Sequence, residues 1–535
     1  MDKISQEFWR PLLNEKKLRS APDKIIEFGL TFLIVFTPLA FGSVYVWAYS
    51  IMELIVLSLL IVLVVKKYWI QDKKISFPLF FPIIAFLALV LFQMMPFPPS
   101  AMKCLSPKTY ELYSQTLDGY PREKREDRGE RQIIEDTQPI RQRLEVGGKT
   151  LGTKNTKWFF ENWRTISVNP YATRAELFKI ISYLGVFLLI INYVDSKRKL
   201  MRMSAVIVFS GIVVALLGVA QKVTEAPKIY WFWEPLFKKD ASFFGPFVNP
   251  NHFAGYTEMV VPLSIGLSIV KWRHLAKKGP RGIREFFITV GNEEGCKLIL
   301  FSFFIVLMVG ALFLSSSRGG IISFLGSMVF LLAMMIKKEK ERRNLTILVG
   351  FLISIFSLLI WMGIGPLIKE FSSIQDISMD YDIQYRFQNW KDTSKLVQDF
   401  PLFGAGLANF AAIFSKYKTS DLQYYYLYLE NDYLQLLCEM GIFGFGIFSW
   451  FILSFFRELR LGHSKYEAKE MGSIQYISLY GCLTGVVAIM VHSFWDFNIH
   501  IPSNALLFSI IMGLAIAGVL IRPREYYKYP GRGTS

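Results

Sequence analysis

The chain has 535 residues, 52% of them apolar and 16% aromatic, with 60 Lys and Arg against 43 Asp and Glu for a net charge of +17. Such totals fit a soluble domain, but the distribution does not, because the apolar residues come in long runs with the charges gathered between them. Basic residues in short clusters between apolar runs mark loops held on the inner side of a membrane, so nucleic-acid binding is excluded as the reason for the charge.

Spanning the hydrocarbon core takes roughly 20 apolar residues in a helix, since no water is there to satisfy the backbone. Twelve runs meet this need: Ile25–Val46, Met52–Val65, Leu79–Met95, Leu177–Val194, Ala205–Gln221, Phe253–Val270, Leu298–Leu314, Ile321–Ile336, Leu345–Ile364, Leu434–Phe455, Ile474–Val491 and Ala505–Ile521. Starting from a cytoplasmic tail over 1–24, every second gap is basic. Examples are Lys66, Lys67, Lys73 and Lys74, then Lys197, Arg198, Lys199 and Arg202, and finally the tail 522–535 with Arg522, Arg524 and Lys528. The alternation predicts an all-α polytopic membrane domain over 25–521, with both termini inside and two large outer loops, about 96–176 and 366–433. Ile25–Val46 is too long for the apolar region of a cleavable signal. Tyr45, Trp47, Tyr230, Trp231 and Trp233 near run ends read as an interfacial aromatic belt. The four cysteines, Cys104, Cys296, Cys438 and Cys482, fall on both sides and inside spans and give no disulfide framework.

The first outer loop carries a dense mixed-charge insertion at 121–143, which reads as a solvated segment. Asn169-Pro170 then marks a turn into the fourth span. Next, "GPFVNPNHFAGY" (Gly245–Tyr256) enters the sixth span, with Asn249 and Asn251 as helix caps or ligands and His252 in the first turn. "SSSRGG" (Ser315–Gly320) is a very short outer gap that holds Arg318 at the boundary, against the positive-inside trend. A guanidinium grips phosphate as a fork, which makes Arg318 the leading anion ligand; snorkelling to lipid headgroups is the bland alternative.

The second outer loop reads as amphipathic helices, with Arg386 and Trp390 four apart on one face. "PLFGAGLANF" (Pro401–Phe410) is a glycine-punctuated turn, and the absence of a following Lys-Ser/Thr argues against a phosphate loop. "LENDYLQLLCEMGIFG" (Leu429–Gly444) places Glu430, Asn431 and Gln435 at the boundary and Glu439 a turn deeper. The last gap, "VHSFWDFNIHIP" (Val491–Pro502), gathers His492, Asp496 and His500. Two histidines and a carboxylate can bind a metal, but the chain offers no further strong ligand pattern, so no metal is expected. Ionisable groups in such places are costly and functional by default.

Taken in order, "FVNPNHFAGY", "LSSSRGG", "RFQNW" with "DFPLFGAGLANF", "ENDYLQLLCEMGIFG" and "HSFWDFNIHIPSNA" resemble the O-antigen ligase and Wzy-type polymerase superfamily of bacterial envelope glycosyltransferases. "NPYATRAELFK" is similar as well, and the core of the resemblance spans about 205–455. The resemblance implies a glycosyltransferase-C-like fold with about 12 transmembrane helices in the bacterial inner membrane. It implies transfer of a glycan from undecaprenyl diphosphate, at the periplasmic face, to a growing polysaccharide or to lipid A–core, with no cofactor. Candidate partners are the lipid-linked glycan, a glycan or lipid acceptor, the bilayer, and polysaccharide export or chain-length proteins.

The family's essential arginines fall on Arg318 and Arg386, and its His-Asn pair followed by Gly-x-x-Gly falls on Glu430-Asn431 with Gly441 and Gly444. Glu430 thus replaces the family's His, which shifts the expectation toward a polymerase or exopolysaccharide variant. The arginines would stabilise the leaving diphosphate. Glu430, then His492 or His500, would accept the proton of the acceptor hydroxyl. Asn249, Asn251, Asn431 and Asp496 complete the expected substrate contacts. A flippase for lipid-linked glycans is the alternative, but the internal repeats common in transporters are not evident.

Overall fold

A computed structural model describes residues 15–70, 74–117, 120–121, 162–234, 242–275, 284, 288, 291–336, 381–419, 425–464 and 476–521. The described chain is mostly helical, and its one pair of strands, Pro96–Phe97 (β1) and Arg164–Thr165 (β2), is two residues long and antiparallel. The long helices are α1 (Glu15–Leu39), α2 (Val46–Val64), α3 (Phe80–Met94), α6 (Pro170–Tyr193), α7 (Lys197–Val223), α8 (Pro250–Leu275), α9 (Glu293–Leu314) and α10 (Arg318–Ile336). They continue with α11 (Tyr381–Asp399), α13 (Asp432–Ser464), α14 (Leu483–His492) and α15 (Pro502–Leu520). Three short helices, α4 (Pro99–Leu105), α5 (Pro107–Thr116) and α12 (Phe410–Phe414), lie in the two long loops.

Eight helices among the described residues are long and apolar enough to cross a membrane, namely α2 with its π-helical extension to Ile70, α6 to α10, α13 and α15. Two shorter apolar helices, α3 and Leu479–His492, accompany them. The protein is therefore a polytopic helical membrane protein. Of the twelve expected spans, Leu345–Ile364 lies outside the described residues, as does the insertion 122–143. α1 carries Asp23, Lys24 and Glu27 within its length. Its acids are engaged: Lys66 Nζ, fully buried, lies 2.5 Å from Asp23, Tyr193 donates to Glu27 at 2.6 Å, and Arg202 also pairs with Glu27.

Helix ends follow local chemistry. Asn169 caps α6 by accepting from Ala172 N at 3.2 Å, with Pro170 supplying the fixed first-turn φ. α1 ends earlier than the apolar run Ile25–Val46, because Phe41 and Ser43 adopt left-handed φ of 58° and 57° after Leu39. α8 is the axis of the bundle, and its most apolar stretch is wholly buried. Close contact holds membrane helices together where the apolar environment gives no net drive for burial. Accordingly, a Cβ at Gly485 of α14 would sit 2.8 Å from the Met259 carbonyl of α8, and one at Gly513 of α15 would sit 2.9 Å from Ile190 of α6.

Candidate functional site

The starts of α6, α8, α10, α13 and α15 gather at one end of the bundle, opposite the Asp23–Lys66 and Glu27–Arg202 pairs. There the segment 493–501 between α14 and α15 is the hub. His492 closes α14, and its Nδ1 lies 3.0 Å from Glu258 Oε1 of α8, with both side chains buried. His492 Nε2 and Glu258 Oε2 have no hydrogen-bond partner among the described residues. The first turn of α8 starts on Asn249, whose Oδ1 accepts from Asn251 N at 2.9 Å. Asn251 is half-buried there. His252 Nε2 then comes 3.5 Å from Asp496 Oδ1, and its ring meets Phe497 edge-on.

Arg318 opens α10, which Ser317 caps by accepting from Gly320 N at 3.2 Å. The two glycines after Arg318 let this helix end press onto the hub. A Cβ at Gly319 would lie 3.2 Å from His492 Nε2 and 3.3 Å from Trp495 Cβ; one at Gly320 would lie 2.4 Å from Ala254. Arg386, on α11, reaches the same turn: its Nη1 donates to the Trp495 carbonyl at 2.5 Å, and its Nε lies 2.9 Å from Glu430 Oε2. Trp390, one turn on, faces Trp495 with ring centroids 6.2 Å apart. Trp495 thus touches the turn after Arg318 and the guanidinium of Arg386. Burial disfavours the Asp496 charge, yet contact with His252 and the nearness of His492 and Arg386 hold the carboxyl well below the usual range.

His500 sits on the other side of the hub. Its Nδ1 lies 2.7 Å from Asp432 Oδ1, while Asp432 Oδ2 accepts from Ile499 N and Asp432 N donates to the Ser493 carbonyl at 2.9 Å. Burial works against a charged imidazole here, but the Asp432 carboxylate prevails and raises the His500 pKa. Asn431 caps α13, its Oδ1 accepting from Leu434 N at 3.0 Å.

The glycine-punctuated turn has a structural role. α13 kinks at Gly441, whose φ of 63° and ψ of −168° suit only glycine. The kink frees carbonyls that loop amides satisfy: Ala405 N bonds Cys438 O and Gly406 N bonds Glu439 O, both at 3.0 Å. Buried Glu439 completes the clasp by accepting from Ala408 N at 2.7 Å and Phe410 N at 3.2 Å. Gln93 of α3 adds bonds to Glu439 O and Leu407 N.

Sequence reasoning singled out both histidines but missed Glu258 and Asp432 as their partners. Glu258 was legible as the lone acid within the Phe253–Val270 run. Asp432 gives no such signal, since an acid in a helix's first turn is ordinary. Among the described residues no group of three or more His, Cys, Asp and Glu is arranged to hold a metal ion.

Fold and site together define a polytopic membrane protein with arginines, histidines and carboxylates assembled at one end of its helices. Residues 303–449 match the O-antigen ligase family model (Wzy_C), so this segment is similar to that family. The matched segment runs from α9 through Arg318, Arg386 and Glu430 to Ser449 in α13. A comparison with curated proteins gives no match.

Proposed function

We propose that the protein is a bacterial envelope glycosyltransferase that takes a glycan from undecaprenyl diphosphate and transfers it to a growing polysaccharide or to lipid A–core. The observation that carries this reading is the meeting of Arg386 and the start of α10, which Arg318 opens, at Trp495, beside the buried His492–Glu258 pair. As the anomeric carbon–oxygen bond breaks, charge grows on the diphosphate, and the guanidinium groups of Arg318 and Arg386 stabilise it. The start of α10 aims backbone N–H groups the same way. Glu430 is tied to Arg386 and serves to orient it, while Asn249 and Asn431 shape the two helix entries. Substitution by Glu at the position of the family's His favours a polymerase or exopolysaccharide role over a strict ligase.

We place this end at the periplasmic face of the inner membrane, with twelve spans and both termini inside. Two features support the count. The basic gap residues Lys66, Lys199 and Arg202 lie together at the opposite end. Moreover, the chain leaves the site end along α10 and is again at that end at Arg386, as a ninth span over Leu345–Ile364 requires. The test is transfer of a polyprenyl-diphosphate-linked oligosaccharide by the purified protein. Arg318→Ala and Arg386→Ala should each lose transfer by at least about 100-fold. Wild-type transfer in both would remove these residues from the reaction.

A further inference from the structure

A second opening lies beside the arginine site. A cavity of about 200 Å³ runs between α3, α6 and α13, walled by Ile83, Phe86, Ile180, Leu436, Ile447 and Phe448. Its polar members are Glu176, Tyr183, Asp432, Tyr433, Glu439 and His500, and among the described residues no Lys or Arg lines it. Each carboxylate is already matched: Glu176 pairs with Lys179 at 2.9 Å, Asp432 with His500, and Glu439 with the loop amides. A diphosphate would find no guanidinium here and three carboxylates nearby, so a second anion is disfavoured. A hydroxyl, which both donates and accepts, suits these groups.

Two polar groups are left open. The Tyr183 hydroxyl is buried with no hydrogen-bond partner among the described residues. At His500, Asp432 holds Nδ1, whereas Nε2 makes no hydrogen bond among the described residues, and the side chain keeps 18% of its surface exposed. Tyr428 packs on the His500 ring and stacks on Phe497, which fixes the ring plane.

We propose that this cavity is the acceptor subsite of the transferase, holding the apolar chain of a glycolipid whose sugar hydroxyl is presented to His500. This rests on the glycosyl-transfer reading above. The apolar walls lie on the short apolar helix α3 and on α6 and α13, two helices long and apolar enough to cross a membrane, so a chain can slide in from the bilayer, and the polar end adjoins the hub that the arginines share. Asp432 ties the two sides together, bonding His500 through its carboxylate and Ser493, next to His492, through its amide. In the step, the acceptor O–H proton passes to His500 Nε2. The hydroxyl oxygen forms the new bond to the donor's anomeric carbon, and the carbon–oxygen bond to the diphosphate breaks with its electron pair on the phosphate oxygen. Asp432 stabilises the imidazolium, which returns its proton to water.

The test is photolabelling of the full-length protein in nanodiscs with an uncharged alkyl glucoside carrying a diazirine in its chain. Adducts are expected on Phe86, Ile180 and Phe448, suppressed at least fivefold by plain alkyl glucoside, and Leu436→Trp should suppress them to a similar extent. Competition on the wild-type protein keeps the test valid if Leu436→Trp does not fold. Labelling needs no turnover, so its failure is distinguishable from failure of the transferase reading. Equal labelling of the outward-facing Leu54 and Phe81, or equal labelling of the cavity by a diazirine phosphatidylcholine, would overturn the subsite. In a transfer assay, His500→Gln should lose at least 100-fold in rate, with polyprenyl diphosphate binding within twofold of wild type. Wild-type transfer by His500→Gln would overturn the proton acceptor.

Discussion

His492 Nδ1 lies 3.0 Å from Glu258 Oε1 although 234 residues separate them, and both side chains are shut away from solvent. Removing one member of a buried pair strands the other, at a cost of about 3–5 kcal/mol. Glu258→Ala should therefore lower thermal stability sharply. Glu258→Gln, which keeps a hydrogen-bonding oxygen, should cost less. Thermal unfolding in detergent checks this; an unchanged midpoint in Glu258→Ala would mean the pair does not hold α14 to α8.

Arg386 reaches Trp495 with one nitrogen and Glu430 with another, a two-point grip that lysine cannot reproduce. Arg386→Lys should impair transfer nearly as much as Arg386→Ala. Glu430→Gln should cut transfer by only about tenfold, since it loosens the guanidinium without removing it. A loss of roughly two to four orders of magnitude in Glu430→Gln would instead make Glu430 the proton acceptor.

Gly441 sits where a Cβ would lie 2.3 Å from the Leu402 carbonyl, at a φ of 63°. Gly441→Ala combines backbone strain of about 1–3 kcal/mol with that clash. The 401–410 loop should lose its seat on α13. Faster proteolysis within that loop, compared with Gly446→Ala, where a Cβ meets open space, is the expected readout.

Cys104 and Cys296 are both exposed, and the twelve-span arrangement puts them on opposite sides. A membrane-impermeant thiol reagent should label Cys104 in intact spheroplasts and Cys296 only after permeabilisation. Labelling of Cys296 in intact spheroplasts would break the alternation.

The raised His500 pKa has a signed consequence. A proton acceptor works when neutral, so transfer should rise with pH through a value above the 6.5 of an ordinary histidine. The stabilisation from the His500–Asp432 pair runs the other way, present in full below the unfolded-state value and lost as pH rises through the folded one. Asp496, held low, contributes stability above the ordinary carboxylate range and loses it only as pH falls through its depressed value. A rate profile in His500→Gln that kept its alkaline rise would assign that limb to another group.

Among the described residues the apolar runs pointed to the long helices by themselves, because lipid leaves the backbone no choice but internal hydrogen bonds. The amphipathic character of the stretch from Tyr385 to Val397 was legible too, and Arg318, Arg386, His492 and His500 stood out as ionisable groups beside apolar runs. What the sequence could not determine is which charge meets which. Glu258 and His492, Asp432 and His500, Gln93 and the 403–407 loop are joined across tens to hundreds of residues by helix packing. That packing depends on small residues such as Gly319, Gly485 and Gly513 and leaves no periodic trace in the chain. Only the tertiary structure decided that Glu439 clasps a loop, that Glu430 neutralises an arginine, and that the two histidines face opposite sides of one turn.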